Sequence, residues 1–172
     1  MALREIVKFP DPRLKEVSKP ITEVDDDLRE LARDMIEVMY DEPGIGLAAP
    51  QVGASIRMFV IDTEWTDEEG GKHPTVVINP EISERDGRIT WEEGCLSVPD
   101  YSATVERDAM ITLRGQDIDG NPIEERAEGL RAVCIQHEVD HLDGVLFIDR
   151  ISRLKRSLYV KKRKKQLLEE QD

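Results

Sequence analysis

The 172-residue chain has only two cysteines, no apolar run approaching the roughly 18 residues that a membrane-crossing helix needs, and no internal repeat or low-complexity segment. Two cysteines cannot build a disulfide framework, which excludes the small stapled secreted scaffolds and fits a reducing compartment. No signal-type N-terminus is expected, because Arg4, Glu5 and Lys8 interrupt the apolar positions between Met1 and Phe9. At this length one domain with its own core is expected, soluble and cytoplasmic.

Positive charge is scarce until the end of the chain. Residues 150–172 carry nine Lys or Arg against three acids, a net of +6, which leaves −19 on residues 1–149 out of a total of −13. The chain therefore divides into an acidic body, 1–149, and a basic C-terminal extension of the same domain, 150–172. Leu154, Leu158, Leu167 and Leu168 suggest that the extension is a helix. Its run Lys161-Lys162-Arg163-Lys164-Lys165 can meet phosphates; a solvated basic helix has the same composition.

Of the three histidines, two stand in His137-Glu138-Val139-Asp140-His141. Residues i and i+4 share a helix face, so both imidazoles can reach one divalent ion, while Glu138 can address a water there. Such an ion lowers the pKa of its water from about 15.7 toward 7, and the pattern reads as that of a metallohydrolase. A catalytic centre of this kind needs a third protein ligand. The continuation to a third histidine after Gly144 fails, because Phe147 stands in its place. A downstream glutamate ligand would have to be Glu169 or Glu170, in the charged tail.

Upstream candidates are Cys95, Cys134 and His73. Cys134 lies seven residues from His141, about 10.5 Å along a helix, too far for three ligands to close on one ion. It reads better as an apolar wall residue beside the site. His73, in Gly70-Gly71-Lys72-His73-Pro74, reads as an exposed loop residue. Cys95 follows Gly94, which permits close backbone approach, and is the best thiolate candidate.

Gly44-Ile45-Gly46-Leu47-Ala48-Ala49-Pro50-Gln51 satisfies the dinucleotide fingerprint G-x-G-x-x-A, but the context is wrong. That fingerprint follows a strand and opens a helix. Here Leu28, Leu31, Met35 and Met39 recur at helical steps before it, with Thr22 and Asp25 offering a capping box, and Pro50 and Gly53 would spoil a helix after it.

Taken with Glu93-Gly94-Cys95-Leu96-Ser97 and Gln136-His137-Glu138-Val139-Asp140-His141, that segment completes three motifs that resemble, in order and spacing, those of bacterial-type peptide deformylases. The resemblance covers nearly the whole chain. It implies that Cys95, His137 and His141 hold one divalent metal, with Fe²⁺ native and Zn²⁺, Ni²⁺ or Co²⁺ able to replace it. It implies further that Glu138 is first base and then acid, that the Gln51 side chain and Leu96 backbone N–H steady the developing negative charge, and that Gly46 contacts substrate main chain. The methionine side chain would lie against Ile45, Trp91, Leu130, Val133 and Cys134, each also a residue that an ordinary core contains. Glu93 and Arg107 would form an ion pair supporting the Cys95 loop; two solvated charges on strands is the plain alternative. The implied substrates are N-formylmethionyl nascent peptides, and the implied partner of the basic C-terminal helix is the ribosome, with no membrane involved. Ser102, six residues after Leu96, stands where some relatives have an arginine that helps to hold the peptide.

Period and turns predict a helix near 25–40, strands at Arg57–Ile61 and Thr75–Ile78, and a hairpin pairing Met110–Leu113 with Ile123–Arg126 across Asp119-Gly120. The metal-binding helix is predicted from Gly129 to His141, leaving at Gly144. Strands that do not alternate with helices predict an α+β fold: antiparallel β-sheets packed around a central metal-binding helix, with N- and C-terminal helices. Two other classes use some of the same residues. A metal-dependent endopeptidase is disfavoured by the missing third-ligand patterns, and a non-catalytic binding module would have no reason to keep Glu138 and Gln51.

Overall fold

A computed structural model describes residues 4–171; Met1 to Leu3 and Asp172, the outer ends of the two segments set apart by charge, lie outside it. Helix α1, Asp26–Asp41, starts where the Asp25 side chain accepts the Leu28 N–H at 2.8 Å, with Asp26 and Asp27 at the electropositive end. Asp25 is thus the N-cap itself, and the expected Thr22 to Asp25 capping box is not what starts the helix. Leu28, Leu31, Ala32, Met35, Val38 and Met39 form its buried stripe.

Five strands, β1 (Gly46–Ala48), β2 (Met58–Ile61), β3 (Thr75–Cys95), β4 (Val98–Gln116) and β5 (Pro122–Glu128), make one antiparallel sheet in chain order. The all-apolar β2 shows why the sheet is covered on both faces. Its Met58 and Val60 join the α1 core, whereas Phe59 and Ile61 join the core beneath the second helix, as a two-residue side-chain period requires.

The predicted strands Thr75–Ile78 and Met110–Leu113 are only the buried stretches of β3 and β4, which run to 21 and 19 residues. Their outer reach is largely solvated and is interrupted by bulges at Ile78/Glu81, Ser83/Asp86 and Gly94/Cys95, which bend the ribbon. Leu96 and Ser97 are the turn that closes it.

Helix α2, Gly129–Leu142, leaves β5 through Gly129 at φ +60° and packs against all five strands. Unlike α1 it is buried on nearly every side, from Ala132 to Leu142. It ends before Gly144, at φ +75°, where a side chain would run into the Lys15 carbonyl. The last helix, α3 (Arg153–Glu170), is capped by Ser152, whose hydroxyl accepts the Lys155 N–H.

Three of the four leucines that suggested α3 do not anchor it: Leu154, Leu158 and Leu168 are 70%, 60% and 64% exposed, and only Leu167 is partly buried. The helix is held instead by Tyr159, packed on Phe9 and Tyr101, and by Arg163, whose Nε donates to the Phe9 carbonyl at 2.8 Å. Arg163 is therefore withdrawn from the basic surface that the sequence suggested. Among the described residues no helix is long and apolar enough to cross a membrane.

Candidate active site

His137 and His141 project from one face of α2, their ring centroids 5.0 Å apart. The bulge at Gly94/Cys95, just before the Leu96-Ser97 turn, turns Cys95 toward them, with Sγ 3.3 Å from His141 Nε2. Ligand atoms of Cys95, His137 and His141 all lie within 4.8 Å of one another. Cys134 stays in the wall, its sulfur 3.8 Å from the Ile45 carbonyl, and burial followed by the Glu138 charge raises its thiol pKa. His73 is exposed in the loop after β2 and does not join the cluster.

Behind His137 runs a chain of charges, buried at Glu93, Arg107 and Asp140 and reaching solvent at Arg150. His137 Nδ1 lies 2.8 Å from Glu93 Oε1; Arg107 grips both Glu93 oxygens at 2.8 Å and reaches Asp140 Oδ2 at 2.6 Å; Arg150 closes on Asp140 at 2.6 and 2.8 Å. Glu93 and Arg107 are only 5% and 3% exposed, so they are not the solvated charges of the plain reading. Burial opposes the Glu93 charge, but hydrogen bonds from Arg107 and then His137 prevail and hold it at about 2. An ionised Glu93 can only accept, so Nδ1 of His137 carries a hydrogen, and Nε2 is the ring nitrogen left to face the cluster. Two imidazoles and a sulfur converging in this way suit a borderline divalent ion.

Glu138 is buried beside the ligands, and its Oε1 has no hydrogen-bond partner among the described residues. Burial pushes its carboxyl up to about 7, against the pull of His137. Gln51 sits in the short helical turn Ala49–Val52 that follows β1. Its Oε1 accepts the Ala48 N–H at 2.9 Å, which directs Nε2 toward Ser97 Oγ at 3.1 Å and Cys95 Sγ at 3.5 Å. The amide donor therefore faces the cluster and does not lie on the surface.

These groups border a cavity of about 380 Å³. Gly46, Leu96 and Glu138 line it, as do all five residues expected against the methionine side chain: Ile45, Trp91, Leu130, Val133 and Cys134. Ser102 stands outside, opposite Gly94 on β4, with its hydroxyl on Glu92. Sequence reasoning missed Ser97, Asp140 and Arg150. Asp140 lies inside the third motif, three residues after His137, which was a usable signal; Arg150 was counted with the tail charges and gave none.

The family model described as Polypeptide deformylase matches residues 3–157. A peptide deformylase of Alkalilimnicola ehrlichii is 55% identical over 156 residues, 91% of this chain and 86% of that protein. One of Mesorhizobium japonicum is 55% identical over 166 residues, covering 96% and 93%. The crystal structure of a peptide deformylase from Legionella pneumophila superposes with a TM-score of 0.89 at 43% identity, covering 99% of each chain. Similarity of this extent reaches well past the three motifs, and the chain belongs to the peptide deformylase family, metal-dependent hydrolases that take the formyl group from the N-termini of nascent polypeptides.

Proposed function

We propose that Cys95, His137 and His141 hold one divalent ion, and that Glu138, Gln51 and Leu96 carry out the deformylation of a formylmethionyl peptide bound in the adjoining cavity. The observation that carries this reading is the convergence of the three ligand atoms within 4.8 Å beside a buried carboxylate with an unpartnered oxygen. A bound divalent cation supplies Lewis acidity and makes water a stronger acid.

Glu138 takes a proton from water at Oε1 as the water oxygen adds to the formyl carbon. It then delivers that proton to the amine nitrogen as the C–N bond breaks, leaving formate and a free methionyl N-terminus. A carboxyl near 7 can both accept and give a proton at neutral pH. Gln51 Nε2 and the Leu96 backbone N–H donate to the formyl oxygen as its charge grows, a contribution of about 2.7–4 kcal/mol per donor where one has been measured. Gly46 contacts the substrate main chain. Ile45, Trp91, Leu130, Val133 and Cys134 receive the thioether side chain, and Glu93 with Arg107 fixes the ring of His137.

For the native ion we favour Fe²⁺ on family resemblance, with Zn²⁺, Ni²⁺ or Co²⁺ as substitutes that the same donors accept. Anaerobic reconstitution with each ion in turn, followed by formate release from N-formyl-Met-Ala-Ser, tests this: Fe²⁺ should give the highest turnover, and equal turnover with every ion would contradict it. We place the enzyme in the cytoplasm, where formylated chains are made, and at the ribosome, through the lysines that α3 presents to solvent at 161, 162, 164 and 165.

A further inference from the structure

Residues 62–74, between β2 and β3, form a strap tied to the cavity wall by the Asp62 backbone N–H and by one side chain. Trp65 Nε1 donates to the Gly44 carbonyl at 2.9 Å. Gly44, Ile45 and Gly46 line the cavity, whereas Trp65 does not. The strap is itself fixed. Buried Asp62 accepts the Tyr40 hydroxyl at 2.6 Å and the His73 N–H at 2.8 Å; Tyr40 meets the Trp65 ring edge-on at 5.2 Å; the Lys72 ammonium lies 5.0 and 5.5 Å from the two ring centroids.

The backbone of the wall is nearly all committed. The Gly44 N–H donates to the Met39 carbonyl at 2.7 Å, and the Ile45 carbonyl accepts the Asp62 N–H at 2.9 Å. The Ile45 N–H has no acceptor among the described residues. It shares a planar trans peptide with the Gly44 carbonyl, and the two point in opposite directions. A carbonyl drawn outward to Trp65 leaves the N–H facing inward.

We propose that Trp65 is a positioning residue: by holding the Gly44 carbonyl outside the cavity, it aims the Ile45 N–H at a main-chain carbonyl of the bound peptide. The inference deepens the deformylase reading and rests on it. Trp65 touches neither substrate nor metal ligands, so it acts on peptide binding and leaves the hydrolytic groups in place.

The test is Trp65→Phe, which keeps the ring but removes the donor, assayed with two substrates: N-formyl-Met-Ala-Ser, and N-formyl-3-(methylthio)propylamine, which keeps the formyl group and the thioether but has no main-chain carbonyl. For the peptide, KM should rise about tenfold with kcat within about twofold, the worth of one directed hydrogen bond. For the amine, kcat/KM should stay within about twofold of wild type, with metal content unchanged. Equal losses on both substrates, or no loss on the peptide, overturns the proposal. If Trp65→Phe does not fold, Tyr40→Phe, which frees the Asp62 end of the strap, carries the same comparison. Wild-type protein that releases no formate from either substrate would instead contradict the deformylase reading, so the two failures are distinguishable.

Discussion

Gly46 and Glu138 leave no room for a methyl group between them: a Cβ on Gly46 would lie 2.5 Å from Glu138 Oε2 and 2.9 Å from Cys134 Sγ. The glycine of the first motif is thus required by the carboxylate of the third. Gly46→Ala should displace Glu138 and lower kcat by about 10²-fold, the cost of a misplaced general base, with metal content little changed and the melting temperature lowered by the overpacked wall. Parallel measurement of formate release and bound metal checks this. An alanine variant with wild-type turnover would show that Glu138 can shift freely.

Gln51→Glu keeps an oxygen for the Ala48 N–H but loses the Nε2 donor aimed at Cys95 and Ser97. Because that donor acts on charge that grows during the reaction, kcat should fall by about 10²–10³ with KM little altered. Steady-state kinetics on the metal-loaded variant decides it. A rise in KM at constant kcat would make Gln51 a simple binding group.

Arg107→Leu leaves the buried carboxylates of Glu93 and Asp140 without their shared cation, so it should cost about 3–5 kcal/mol in denaturant unfolding. The pair also fixes a pH dependence. Glu93 has its pKa lowered from 4.5 to about 2, so its contribution, about 3 kcal/mol, is complete above pH 4.5 and is lost as pH falls toward 2. Acid titration of wild-type unfolding free energy should show that decline, and Arg107→Leu should show less of it.

The distribution of these groups explains what the sequence could and could not reveal. His137 and His141 were legible because helical spacing alone puts them on one face, and Glu138 because it adjoins the first of them. The buried strand β2 was legible because it is apolar throughout. The outer reach of β3, Ser83-Glu84-Arg85-Asp86-Gly87-Arg88, has neither alternation nor apolar residues, and it is held by cross-strand partners such as Arg88 with Glu106 and Asp108. Such partners are identifiable only once the register is known. The same holds for Arg150, whose role depends on meeting Asp140 in space, and for Tyr159, whose anchoring of α3 was hidden among more conspicuous leucines.

Reversing Lys161, Lys162, Lys164 and Lys165 to Glu should weaken cosedimentation with ribosomes and flatten its salt dependence, with formate release from a free peptide unchanged. Arg163→Ala should act differently, lowering the melting temperature, because Arg163 is buried and holds the Phe9 carbonyl. Ribosome binding that survives the lysine reversal would remove α3 as the docking element.

The most direct test of the assigned residues is formate release from N-formyl-Met-Ala-Ser by anaerobically prepared wild-type protein and Glu138→Ala, with metal measured on the same samples. The role of Glu138 as general base predicts near-stoichiometric metal in both, rapid release by the wild type, and a loss of at least about 10²-fold in the variant. A fully metallated Glu138→Ala that releases formate at the wild-type rate would contradict it.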